Sequence, residues 1–291
     1  MIFKDVKKNK SKTFMIVIVF FTLVSLLVYY LSLMFFENTF IPVIFALFFS
    51  FITSFLSYYN SDKIVLKLSG ARVATREEFL QLNDSLEGLC IAGGLPVPKL
   101  YIMNDSSMNA FATGRNPKNA VVCVTTGLLE KMDKYEIEGV LAHELSHIRN
   151  YDILLSTVCV VMVGFVVILS DVFSRGLYRR KKDDKNGILM IIGVIFVILA
   201  PIFAKLLQLA LSRNREYLAD ASAVELTRNK DGLINALKKL NGDTTSIKNY
   251  NSATASMYIV NPLKSTKKVK DNAFSTHPNT LNRIQKLENI N

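Results

Sequence analysis

Hydrophobic residues along this chain fall in blocks. Residues 13–36 read TFMIVIVFFTLVSLLVYYLSLMFF and residues 39–59 read TFIPVIFALFFSFITSFLSYY, both without a charge. Two further blocks cover 153–170 and 188–212, the latter with Lys205 near its end, where a long side chain can reach a membrane interface. A helix needs about 20 apolar residues to cross a hydrocarbon core. The first two blocks meet that length, and the other two are spans or buried core helices. A signal peptide is the competing reading of the first block; its length and the absence of a small-residue cleavage site argue against it.

The intervening pattern is that of a folded domain. Phe79, Leu82, Leu86 and Leu89 recur at helical spacing in REEFLQLNDSLEGLC, and AGGLPVP ends that helix. KLYIM (99–103) and AVVCVTT (120–126) are short β-rich runs. LLEKMDKYEIEGVLAHELSHI reads as helix in one piece or two, and RNREYLADASAVELT and GLINALKKL as further helices. Residues 241–273 are rich in Asn, Ser, Thr and Lys and predict a long loop, interrupted by the apolar MYIV. A last amphipathic helix after Pro278 carries Leu281, Ile284 and Leu287 on one face. The expected division is a membrane hairpin at 1–60, soluble pieces at 61–152 and 213–291, and a second hairpin at 153–212.

The formal net charge is +11. Much of it flanks apolar blocks, with Lys4, Lys7, Lys8, Lys10 and Lys12 before the first. That is a positive-inside signature, with the basic end and both soluble pieces in the cytosol. No aromatic–basic interleaving points to a nucleic-acid platform, so none is expected as a partner. The basic loop 174–187 runs against this topology if the second pair spans fully. Cys90, Cys123 and Cys159 are few, odd in number and without a CxxC, which argues against a disulfide framework and against a cysteine-rich zinc site.

Two of the three histidines stand in LAHELSHIRN. On a helix, His143 and His147 lie about 40° apart around the axis and can share one ion. Glu144 sits about 100° from His143, placed to reach a water on that ion without binding it. The competing reading puts one histidine in the core and the other on the surface. Catalytic zinc takes three protein ligands and keeps an open position. Glu216 is the best third ligand by sequence, and Asp220, four residues on, can fix a ligand tautomer; an ordinary solvated helix is the alternative. His277 is either a turn residue before a helix beginning at Pro278 or a donor to the oxyanion of peptide hydrolysis. The positions of His143, His147 and Glu216 on either side of the second apolar pair allow a membrane hairpin to bring them together.

With these residues in view the chain resembles the HtpX family of membrane zinc endopeptidases, related to the CAAX prenyl proteases. The resemblance runs in order through MNAFATG (108–114), VTTGLLEKM, GVLAHELSHIRNYD with Gly139 and Asp152, SRNREYLADASAVELT, MYIVNPL and FSTHPNTLNRIQKL. It implies a mainly α membrane protein: four hydrophobic helices and a zincin-like α+β metalloprotease domain with a small sheet. It implies one Zn2+ per chain on His143, His147 and Glu216, with Glu144 as general base and Asp220 as partner to a ligand. It further implies that Asn109 borders a cleft where an extended peptide pairs with an edge strand, that His277 stabilises the transition state, and that Arg283 holds the Glu216–Asp220 helix. The implied activity is cleavage of polypeptides, with damaged membrane proteins as clients in a stress response. The implied location is the cell membrane, multi-pass, with the site facing the cytoplasm. The rival readings are an inactive zinc-binding membrane scaffold and a prenyl protease; the shortness of the chain disfavours the latter.

Overall fold

The computed structural model describes residues 2–32, 40–162, 164, 213–243, 245, 254, 257–259 and 278–290. The fourth apolar block, the 174–187 loop and His277 lie outside the described residues.

The chain begins with α1 (Ile2–Ser32) and α2 (Phe40–Tyr59), packed against each other, followed by the short α3 (Ser61–Leu68). The basic stretch before residue 13 is thus helical too, continuous with the apolar block. Among the described residues one stretch, Val6–Leu26, is long and apolar enough to cross a membrane; Leu47–Leu56 and Asp152–Met162 are shorter apolar helical stretches. Of the four hydrophobic helices expected, that stretch is the one clear span candidate among the described residues; the fourth block and the end of the third lie outside them.

Four strands form a mixed sheet in the order β1 (Arg72–Val73), β2 (Lys99–Met103), β4 (Ala120–Thr125), β3 (Ala110–Gly114). β2 and β4 are parallel, with Leu100 opposite Val122; β3 and β4 are antiparallel, with Phe111 opposite Cys123. β1 and β3 were not evident from the hydrophobic pattern, the first being two residues long and the second reading AFATG. The β3–β4 turn requires glycine at 114: φ is 136° there, and a Cβ would collide with the Asn119 carbonyl.

Before the sheet, α4 (Leu80–Gly93) ends on Gly94 in the left-handed conformation, φ 62°. After the sheet, the helical run is broken in two. α5 (Thr126–Lys131) stops at Met132, and Asp133 starts α6 (Lys134–Arg149). Asp133 Oδ1 accepts from the Glu136 N–H at 3.0 Å, and Glu136 Oε2 from the Asp133 N–H at 2.8 Å. This reciprocal cap satisfies two helix-end donors. The remaining helices are α7 (Asp152–Met162), α8 (Arg213–Thr227), α9 (Lys230–Gly242) and α10 (Thr280–Glu288). α10 starts at Thr280 with Asn279 as its cap, two residues later than a helix beginning at Pro278 would.

α6 runs through the core between α8, α9 and the sheet. Its Val140, Leu141, Leu145 and Ile148 are completely buried, each contributing about 1.5–3 kcal/mol of apolar burial. Gly139 lets α9 come close: a Cβ there would sit 2.7 Å from the Leu233 nitrogen and 2.9 Å from its Cα. A separate cluster joins α1 to α7 through Phe20, Val24, Leu154, Val158 and Met162.

Candidate metal centre

Two helices each offer a pair of polar side chains one turn apart. α6 presents His143 and His147, and α8 presents Glu216 and Asp220. Because α6 and α8 pack together, these two faces meet. His143 and His147 point Nε2 atoms at each other across 3.2 Å. Glu216 reaches His143 Nε2 with Oε2 and His147 Nε2 with Oε1, both at 3.6 Å. All three donors lie within 4.8 Å of one another. Ligands about 2.0–2.1 Å from a tetrahedral zinc stand roughly 3.3–3.4 Å apart. The observed separations bracket that value, so this donor set fits a zinc ion.

The outer nitrogens of the rings are taken. His143 Nδ1 lies 3.0 Å from Asp220 Oδ1, and His147 Nδ1 lies 3.1 Å from Asp152 Oδ2. Each carboxylate holds a proton on Nδ1, which leaves Nε2 for a metal. Asp220 was expected in this position. Asp152, the residue that closes HELSHIRNYD, has no such helical spacing to announce it. It is placed by the turn between His147 and Asp152. α6 ends at Arg149 with Asn150 as its cap, Tyr151 takes the left-handed conformation with φ 59°, and α7 starts at Asp152. That corner folds the carboxylate back onto the ring.

Arg283, on α10, is 1 % exposed. Its Nε and Nη2 donate to the two oxygens of Asp220 at 2.8 and 2.6 Å, and its Nη1 stands 3.6 Å from Glu216 Oε2. It thus links both carboxylates of α8. Nη2 is 3.4 Å from Nδ1 and also from Nε2 of His143.

The charges shift accordingly. Burial and the Arg283 cation oppose protonation of His143, but the Asp220 and Glu216 carboxylates outweigh them and raise its pKa. For His147, burial is overcome by Asp152 and Glu216, and the pKa rises to about 9. Glu144 is 2 % exposed, and burial raises its pKa, moderated by the adjacent histidines. For Asp220, burial is outweighed by Arg283 and His143, which lower its pKa.

Asn109 precedes β3 and is buried. Its Oδ1 accepts from the Ala110 N–H at 3.0 Å, and its backbone pairs with Thr125. β3 is the edge strand beside α6. Asn109 and Phe111 bond inward to β4, so Ala110 and Ala112 direct their backbone groups outward. At Ala110 the outward carbonyl accepts from the Ile259 N–H at 3.0 Å. Tyr258 packs edge-on against Phe111, ring centroids 5.2 Å apart.

A donor set of two imidazoles one helical turn apart and a carboxylate from a second helix is the one zinc metallopeptidases use. Residues 76–291 match the model of peptidase family M48, and the chain belongs to that family. It is 47 % identical over 287 residues to a "Protease HtpX homolog" of Dictyoglomus thermophilum, covering 98 % of this chain and 93 % of that one. A protein of the same description from Listeria monocytogenes serotype 4a is 43 % identical over 305 aligned positions, covering 100 % of both. In fold the chain is similar to the crystal structure of S. mikatae Ste24p. The TM-score is 0.53 at 19 % identity, covering 98 % of this chain and 67 % of that one.

Proposed function

We propose that this chain is an integral-membrane zinc endopeptidase whose site faces the cytosol and takes unfolded or damaged membrane proteins as substrates. The observation that carries the reading is the meeting of two one-turn pairs, His143/His147 and Glu216/Asp220, around a single point. His143, His147 and Glu216 would hold one zinc ion. When bound, it supplies Lewis acidity, polarising a carbonyl and lowering the pKa of a water ligand to about 7. Glu144 takes a proton from the attacking water on its carboxylate and returns it to the departing amine. A raised pKa suits that exchange, because a general base functions best when poised near the working pH. Asp220 and Asp152 hold the imidazoles in one tautomer throughout, and Arg283 holds Asp220. The peptide pairs as an added strand with the outward backbone of β3 at Ala112, beyond the Ala110 carbonyl that Ile259 holds. His277 is assigned as an additional donor to the developing oxyanion, on the strength of the family resemblance.

Membrane siting is supported by the surface of the first two helices. Phe14, Met15, Phe48 and Phe51 are each more than 60 % exposed, an apolar surface that lipid would cover. The 1–60 hairpin, the second hairpin at 153–212 and the two-part peptidase domain complete this architecture. The decisive experiment compares wild type with Glu144→Gln after purification in detergent. The variant is expected to hold about one zinc and to lose casein cleavage by 10²–10⁴-fold, the usual contribution of a general acid–base. Cleavage at the wild-type rate overturns the mechanism.

A further inference from the structure

Asp152, the carboxylate behind His147, is itself held by the N-terminal apolar helix. Asn9 of α1 is 2 % exposed. Its Nδ2 donates to Asp152 Oδ1 at 2.7 Å and to the Asn150 carbonyl at 2.9 Å. The next residue, Lys10, sets its Nζ 4.2 Å from the centre of the Tyr151 ring, a cation–π contact. Two successive residues of α1 therefore grip all three residues of the corner between α6 and α7. The middle one, Tyr151, has a backbone conformation that L side chains disfavour (φ 59°). Phe20 and Val24, further along α1, pack on Leu154, Val158 and Met162 of α7.

The consequence for the metal centre follows from the freedom of a carboxylate. Rotation about its last bond has no sharp minimum, so a fixed donor on one oxygen decides where the other points. Asn9 supplies that donor on Oδ1, and Oδ2 is left facing His147 Nδ1. Arg215 also reaches Oδ1, at 3.2 Å, but it belongs to α8 and comes with Glu216. We infer that Asn9 is a positioning residue of the metal centre, acting through Asp152 to hold His147, so that metal affinity depends on α1 being docked. This rests on the metal-centre reading above. Asn9 lies outside residues 76–291, so the peptidase region borrows part of its metal support from the helix that precedes it.

The test uses the full chain in detergent, with zinc alone as ligand, in competition with a chromophoric chelator. Asn9→Leu keeps the volume and removes the donor. Asn9→Asp keeps the shape and sets a carboxylate against Asp152. The exchange Asn9→Asp with Asp152→Asn restores a donor–acceptor pair while an amide oxygen still faces His147 Nδ1. Asn9→Leu is expected to weaken zinc binding about 10-fold, within the usual range for partners of metal ligands, and to shift the visible absorption of the cobalt-substituted protein. Asn9→Asp should weaken it further, and the exchanged pair should bind more tightly than Asn9→Asp alone. With affinities compared at pH 9.5, where protons no longer compete for His147, a merely structural loss at position 9 would not be recovered by a change at Asp152. Zinc affinity equal to wild type in both single variants overturns the inference, as does an exchanged pair no tighter than Asn9→Asp. If Asn9→Leu fails to fold, the latter comparison decides. Wild type that binds no zinc, or that binds it equally well after His147→Ala, instead brings down the metal-centre reading itself.

Discussion

The competition between protons and metal for His147 yields a quantitative prediction. In the metal-free protein a proton on His147 Nε2 faces His143 Nε2 at 3.2 Å and Glu216 Oε1 at 3.6 Å, the positions a metal would serve. With its pKa at about 9, His147 at pH 7 is neutral in only about one molecule in a hundred. Two pH units of protonation correspond to roughly 3 kcal/mol that zinc must overcome. Apparent zinc affinity should therefore rise about tenfold per pH unit from pH 7 and level off near pH 9, with His143, also raised, steepening the lower end. Binding at pH 7 should release at least one proton. Stability of the metal-free protein follows the opposite course. The proton on His147 stabilises fully below its unfolded pKa of about 6.5, and that contribution fades as pH rises through about 9. The assays are chelator-buffered zinc titration from pH 6 to 9.5, and calorimetry at pH 7 in buffers of different ionisation enthalpy, which counts protons. A pH-independent affinity between 7 and 9, or binding without proton release, would refute the reasoning. Asp152→Asn removes the carboxylate that raises His147, and should move the rising limb to lower pH.

Further expectations concern the scaffold. Gly139→Ala would drive a methyl group into the α9 backbone at Leu233, and should cost about 1–3 kcal/mol as overpacking. Gly88→Ala, inside α4 with open space around it, should instead stabilise by up to about 1 kcal/mol through helix propensity. Opposite shifts in thermal midpoint check the pair, and shifts of the same sign contradict the packing described. Arg283→Met leaves Asp220 buried without its bidentate cation and should cost about 3–5 kcal/mol in the metal-free protein, read from denaturant unfolding. Arg283→Lys should recover only part of that loss, because an ammonium cannot span both oxygens. Full recovery by lysine would argue that charge alone matters there.

What the chain reveals without its fold is local. Apolar blocks without charge, helical spacing at Leu82, Leu86 and Leu89, and two histidines four residues apart all depend on the period of a single element, which is written in the order of residues. That is why His143, His147 and Glu144 are legible directly, while Glu216 follows only from the need for a third ligand and Arg283 only from the family resemblance. β3 was hidden because AFATG is short and carries two alanines and a glycine, residues of low β-propensity, where β4 is rich in valine. Asp152 and Asn9 were hidden for a different reason. Asp152 depends on a corner at Tyr151 whose backbone conformation no residue type announces, and Asn9 acts across 143 positions of chain. Their roles exist only where α1, α6, α7 and α8 meet. A carboxylate or an amide in a sequence is simply polar; burial against one particular partner makes it a device, and burial is decided by tertiary packing.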